Sequence, residues 1–142
     1  SIKAMYFAYF FKWSMRDNYE YIKTKMNFRT NPLGRTDGTF TNFDSLDDKI
    51  DNIYYYMQYI KFGFGRCVRD VCRHIQNGQM TRDEGLKLVK EYDHEYPAAF
   101  FSESLDYMNM TEGEFDQIVD MHRNDEIWIK NEQAWSLRYP PR

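Results

Sequence analysis

At 142 residues the chain is one domain or one piece of a longer protein, and an apolar share of 42% is enough for a core. A net charge of −3, with acids spread along the chain, argues against broad nucleic-acid binding, which wants a basic face. No run approaches the ~20 apolar residues of a membrane helix, and Ser1-Ile2-Lys3 leads into a strand-like run, not a signal peptide.

Lys3 to Phe11 (KAMYFAYFF) reads as a buried strand. A lone strand needs a sheet to join, and no similar strand follows for most of the chain. The expectation is that residues 1–13 complete the sheet of a preceding domain, with residues 14–142 forming a helical domain. Ser14 suits the cap of a helix over Met15–Met26, and Asn27–Asn42 is loop, with turn chemistry at Asn31-Pro32-Leu33-Gly34 and Asp37-Gly38. Asp44 or Ser45 is expected to cap the next helix. Leu46, Ile50, Ile53, Met57, Ile60 and Phe64 then recur at spacings of 4, 3, 4, 3 and 4, a core stripe, with Asp47 and Asp48 in the first turn.

Gly63 and Gly65 break that helix. A further helix over Arg66–Gln76 is expected to turn Val68, Val71, Cys72 and Ile75 inward and to end at Asn77-Gly78. Thr81 with Glu84, and Thr111 with Glu114, have capping-box spacing and open helices to about Asp93 and His122. Pro97 suits the first turn of the helix between them, with Phe101, Leu105 and Met108 inward. Glu126–Lys130 and Ala134–Arg138 read as a hairpin across Asn131–Gln133. The fold class is therefore mainly α, five to six helices with an N-terminal strand and a C-terminal β-hairpin. An aromatic share of 18% leaves surface for a partner or ligand.

The stretch Gly34–Arg66 is the richest in chemistry. Lys61 and Arg66 are set among closely spaced glycines, a pattern suited to an anion, because glycine allows close backbone approach and arginine offers a planar fork. Lys61 could equally snorkel to water, and Arg66 could be a surface residue at a helix start. Arg35, Thr36, Gly38, Thr39 and Asn42 make a donor-rich loop suited to sugar hydroxyls or phosphate, or an ordinary surface loop. Asp44, Asp47, Asp48 and Asp51 offer carboxylates for magnesium, although such a run more often marks a helix start with a solvated face. His74, His94, His122, Cys67 and Cys72 lack metal-ligand spacing, so no metal site is expected of them, and two cysteines fit a reduced, cytoplasmic setting.

The segments YFFKW (9–13), NPLGRTDGTFTNFDSLDDKID (31–51) and YIKFGFGR (59–66) resemble the N-acetyl sugar amidotransferase family, which serves flagellin modification (pseudaminic acid) and lipopolysaccharide biosynthesis. The likeness continues through Thr81–Asp93 into the Trp128/Trp135 tail. In that family an N-terminal PP-loop domain binds ATP. Its signature is not in this sequence, so the chain corresponds to the C-terminal portion and the fragment alone is expected to be inactive. The resemblance implies ATP-dependent conversion of a sugar acetamido group to acetamidino. It also implies magnesium in the full-length enzyme, a nucleotide-linked N-acetyl sugar as substrate and a glutaminase supplying ammonia. Lys61 and Arg66 match the motif and are the expected phosphate or adenylate contacts. Arg35, Thr36, Gly38, Thr39, Asn42 and Asp44 fall on the substrate side, and Asp47 or Asp48 would orient Lys61 or the magnesium ion. The competing readings are a non-catalytic helical interaction module and a tRNA-modifying relative, the latter disfavoured by the acidic balance. An unpaired apolar strand would also give a route to a homodimer.

Overall fold

The computed structural model describes residues 2–132 and 134–142. Ser14 opens helix α1 (Met15–Lys25), where its Oγ accepts from the Asp17 N–H at 3.2 Å, pairing a donor that every helix start leaves open. Helices α2 (Asp51–Phe62) and α3 (Arg66–Gln76) follow, separated by Gly63, whose φ of 73° is the left-handed conformation that ends α2. Thr81 and Thr111 each head a complete capping box, opening α4 (Arg82–Tyr92) and α6 (Glu112–Met121). Between them lies α5 (Phe101–Met108). Strands β1 (Trp128–Lys130) and β2 (Trp135–Leu137) pair antiparallel with Trp128 opposite Leu137. The expected fold class is thus the observed one in its helices and hairpin. The turn of the hairpin includes Gln133, which lies outside the described residues, as does Ser1.

Two cores hold these elements. The larger joins Ile53 and Ile60 of α2 to Leu105, Phe115, Val119 and Trp128. Much of its aromatic filling is edge-on, as for Phe101 and Phe115 with ring centres 5.2 Å apart. The Trp128 indole N–H donates to the Ile60 carbonyl at 2.7 Å, so the hairpin is tied to the end of α2. The smaller core joins Cys67 and Val71 of α3 to Val89 of α4. Here α3 and α4 approach so closely that a side chain at Gly85 would place its Cβ 2.3 Å from Val71 Cγ1. Helix α1 is attached through Gln79, which donates to Ser14 Oγ at 2.9 Å and to Asp17 Oδ1 at 3.0 Å. Tyr19 stacks on Phe43 with ring centres 4.2 Å apart, bringing α1 over the 36–44 loop.

Four expectations are corrected. Residues 2–13 are not a strand in this chain: they carry one 3₁₀ turn at Phe7–Tyr9 and are exposed throughout. A strand needs a neighbouring ladder; lacking one here, Phe7 stacks on Phe11 at 4.7 Å and meets Trp13 edge-on. Helix α2 starts at Asp51, so Asp47 and Asp48 lie before it and Leu46 is exposed. Helix α3 buries Arg66, Cys67, Asp70, Val71 and His74 and exposes Cys72, because one side of it carries a polar network instead of an apolar face. Pro97 is buried ahead of α5 and does not begin it.

Candidate functional site

The 27–50 segment has no regular structure, so its backbone groups must find partners elsewhere. Some are local. Asn31 Oδ1 accepts from the Leu33 N–H at 3.1 Å, and the Thr36 N–H donates to the Thr41 carbonyl at 3.0 Å. Other ties are to distant parts of the chain, through Glu95 and through the segment's own Asp37. Glu95 accepts both Arg35 guanidinium nitrogens, at 2.6 and 2.5 Å, and the Gly38 N–H at 3.0 Å. Asp37 accepts the Ala98 and Ala99 N–H groups, each at 2.8 Å, and the Asn52 amide at 3.3 Å. Burial alone would raise the Glu95 carboxyl, but the Arg35 fork and the Gly38 amide outweigh it and hold the group below its ordinary range.

Behind the loop stands a buried ionic network on α3. Asp70 Oδ2 accepts the Thr39 hydroxyl at 2.7 Å, and its Oδ1 accepts Arg69 Nε at 3.0 Å. Arg69 also pairs with Asp44 and donates to the Tyr55 hydroxyl at 2.9 Å, which in turn meets Ser45 Oγ at 3.1 Å. Arg66, with its side chain fully buried, donates to the Asp44 carbonyl at 2.6 Å. Both guanidinium groups lie over the Tyr55 ring, at 4.7 and 4.9 Å. Arg66 Nε and Nη1 meet no acceptor among the described residues. Burial pulls this guanidinium below its ordinary value, against the opposing pull of Asp70 and Asp44.

The start of α3 already holds an anion, supplied by the chain itself. Asp93 accepts the Gly65 N–H at 2.8 Å and the Val68 N–H at 2.9 Å. A carboxylate there matches the positive end of the helix. A Cβ at Gly65 would lie 2.9 Å from the Asp93 carbonyl oxygen, so the glycine admits Asp93 at close range. Burial raises the Asp93 carboxyl even so, with the amide donors pulling the other way.

In front of the loop is an open cavity of about 350 Å³. Its wall comes from Arg29–Leu33, Ser45, Leu46 and Asp48, with Lys49, Asn52 and Phe100 on the far side. A second cavity, of about 10 Å³, lies between Arg66, Asp37, Asp93 and Glu95, with room for about one water. A third, about 350 Å³, is a groove on the outer face of α2 lined by Tyr54, Met57, Gln58, Lys61, Phe62 and Phe64.

The model of the LPS biosynthesis protein WbpG-like, C-terminal domain family matches residues 37–139. The chain belongs to this family. The match covers the α3 network, from Asp37 through Asp93 to the hairpin, with Arg35 just ahead of it, and the family is one of lipopolysaccharide biosynthesis. A comparison with curated proteins gives no match.

The residues singled out from the sequence fall in separate places of the structure. Thr39, Asp44 and Arg66 meet in the buried network; Arg35 and Gly38 meet at Glu95 beside it. Thr36 and Asp48 line the open cavity, while Asn42 contributes its carbonyl to the Asn31 N–H at 2.8 Å. Asp47 is exposed in the turn before α2, and Lys61 is exposed in the groove on the outer face of α2. The structure therefore does not bring Lys61 to Arg66. Among the described residues no three His, Cys, Asp or Glu side chains are grouped to hold a metal ion, the 44–51 acids included.

Sequence reasoning missed Tyr55, Arg69, Asp70, Asp93, Glu95 and Phe100. A signal existed for Asp70: Arg66, Asp70 and His74 repeat every four residues, placing charge along the inward side of α3. Glu95 and Asp93 carry no such signal, since their partners lie 25 to 60 residues away.

Proposed function

We propose that this WbpG-like domain is the substrate-side, C-terminal part of an ATP-dependent amidotransferase that converts a sugar acetamido group to acetamidino in bacterial surface-glycan biosynthesis. The single observation that supports this reading most is the placement of the 27–50 loop. It is the wall of a 350 Å³ cavity, within the range of small-ligand sites; Asp70 and Glu95 fix it from behind, and its own Asp37 ties it to the Ala98 and Ala99 amides. A loop with purely connecting work has no need of two carboxylates from outside and a third of its own clamped on a distant turn.

In the proposed reaction ATP, bound by a PP-loop domain outside this chain, activates the amide oxygen as an adenylate with release of pyrophosphate. Ammonia from a glutaminase partner then displaces AMP. The work assigned to this chain is to bind and orient the sugar and to exclude water. Lys61, exposed on α2, is assigned to an anion brought by a preceding domain. Arg66 acts from inside, by holding the Asp44 carbonyl and with it the loop. No helix among the described residues is long and apolar enough to cross a membrane, and a cytoplasmic location is proposed, where nucleotide-linked sugars and ATP meet.

The test is made on the full-length parent. It is incubated with ATP, an ammonium source and a panel of nucleotide-linked N-acetyl sugars, and sugar mass is followed together with pyrophosphate. Replacement of the amide oxygen by NH, with matching pyrophosphate, is the expected result. No product and no pyrophosphate across the panel would leave the interaction-module reading, which the exposed aromatic residues of 2–13 and of α2 favour.

A further inference from the structure

We propose that the open cavity in front of the 27–50 loop binds a phosphorylated N-acetyl sugar, with Arg29 taking the phosphate and Phe100 forming the platform under the ring. The inference rests on the amidotransferase reading for the acetamido group alone; the site itself is argued from geometry.

Backbone strain converges on this cavity. Four non-glycine residues among those described have positive φ, and two of them, Ser45 at 51° and Phe100 at 60°, line it. A left-handed phenylalanine is an outlier, because its Cβ crowds the backbone. The conformation is held firmly: Asp37 accepts the two preceding amides, and the Phe100 carbonyl accepts the Ser104 N–H at 2.9 Å and its hydroxyl at 2.8 Å. This strain does not serve burial, since Phe100 stays 39% exposed. Strain held in place by surrounding structure, at a residue left open to solvent, is the mark of a binding position.

The lining has the chemistry of a sugar site. Phe100, Leu33 and Leu46 supply an exposed apolar surface. Asn31 and Asn52 each engage the chain through one end of the side-chain amide, Asn31 through Oδ1 and Asn52 through Nδ2, leaving the other end to face an acetamido group or hydroxyl. Two cations, Arg29 and Lys49, stand against one carboxylate, Asp48. Lys49 is shared between Glu103 at 2.7 Å and the face of the Phe100 ring at 5.1 Å. Arg29 makes no hydrogen bond or ion pair with any described residue, so its planar fork is available to a phosphate.

The test titrates the 142-residue chain with UDP-N-acetylglucosamine, and with N-acetylglucosamine and UDP as controls, by calorimetry and NMR. The variants are Arg29→Ala and Phe100→Asn. Asparagine tolerates the left-handed conformation, so Phe100→Asn removes the ring while keeping the backbone, and its melt is recorded beside the parent's. The expected result is tighter binding of UDP-N-acetylglucosamine than of either control. Arg29→Ala should remove its advantage over N-acetylglucosamine, and Phe100→Asn should weaken it at least about tenfold. The proposal is overturned if UDP-N-acetylglucosamine shows no saturable binding, if UDP alone binds as tightly, or if both variants bind like the parent. In the full-length enzyme, product formation with KM unchanged in both variants would sink the site and leave the amidotransferase reading standing. Binding that depends on Arg29 and Phe100, without acetamidino product, would do the reverse.

Discussion

Arg66 and Lys61 look alike in the sequence and differ in every physical respect in the fold. Arg66 is sealed beneath the loop on the Tyr55 ring, with two nitrogens unpaired among the described residues; Lys61 stands in water. Arg66→Ala removes packing, the bond to the Asp44 carbonyl and the stacked ring contact, and should cost about 2–4 kcal/mol in a urea melt. Arg66→Met keeps the volume and discards the unpaired donors, so its loss should be smaller. Lys61→Ala should stay within about 0.5 kcal/mol, as exposed substitutions do. Equal melts for Arg66→Ala and Lys61→Ala would mean that the guanidinium is not a strut. A loss of turnover in a Lys61 variant therefore reports on chemistry, whereas one in an Arg66 variant first has to be corrected for folding. The same contrast shows what was legible at this scale. The motif singled out Arg35, Thr39, Asp44 and Arg66, but it paired Arg66 with Lys61 and not with Thr39 and Asp44, which the fold puts beside it. The four-residue repeat of Arg66, Asp70 and His74 hinted at Asp70, but that Glu95 holds Arg35 and Asp93 holds the start of α3 could not be read, because spacing along the chain carries no information about partners brought in by tertiary packing.

At the scale of elements, two glutamates hold helix starts and a third holds the loop, and their titration should be visible in stability. Glu84 and Glu114, accepting the backbone and side chain of Thr81 and Thr111, are held below the ordinary range. Glu95, opposed by its own burial, is held low by Arg35 and Gly38. A carboxyl depressed in the folded state stabilises above its unfolded pKa, about 4.3 for glutamate, and loses that contribution as pH falls through the lower folded value. Asp93 runs the other way: burial raises it, so its cost is relieved as pH falls through its elevated value. The net expectation is a stability that declines in acid below the ordinary glutamate range, with a shallower decline for Glu95→Gln. Identical pH profiles for parent and Glu95→Gln would show that the Arg35 fork contributes nothing, the outcome that water screening of a pair 38% and 30% exposed would produce. These ends were also the part of the fold that local rules could read. Ser14, Thr81, Thr111, Gly63 and the Trp128/Trp135 hairpin all use partners within a few residues. The start of α2 escaped the same rules because its expected caps are taken by distant groups: Asp44 by Arg69, and Ser45 by Tyr55. The helix begins instead after Asp48, whose Oδ1 accepts the Ile50 N–H at 3.0 Å.

For the molecule as a whole, the distribution of aromatic surface is the feature that its own folding does not explain. Tyr6, Tyr9 and Phe10 are 89%, 85% and 57% exposed, and Phe11 and Trp13 are open beside them. On α2, Tyr54, Phe62 and Phe64 remain exposed around Lys61. Scattered apolar side chains are ordinary on a surface, but contiguous aromatic runs mark contact with another body. Under the proposed function that body is a preceding ATP-binding domain, to which residues 2–13 would give a strand, a conformation that the segment cannot hold without a partner sheet. The isolated chain should then satisfy the same surface with copies of itself. Sedimentation velocity is expected to show association that grows with concentration. Deletion of residues 1–13 spares the Ser14 cap, its Gln79 contact and both cores. The shortened chain should therefore keep its melting temperature, and it should sediment as a monomer. A monomer at every concentration with the segment present would count against an associating surface. A large drop in stability on its removal would instead make residues 2–13 part of this domain's own fold, and the sheet that they are proposed to complete would lose its support.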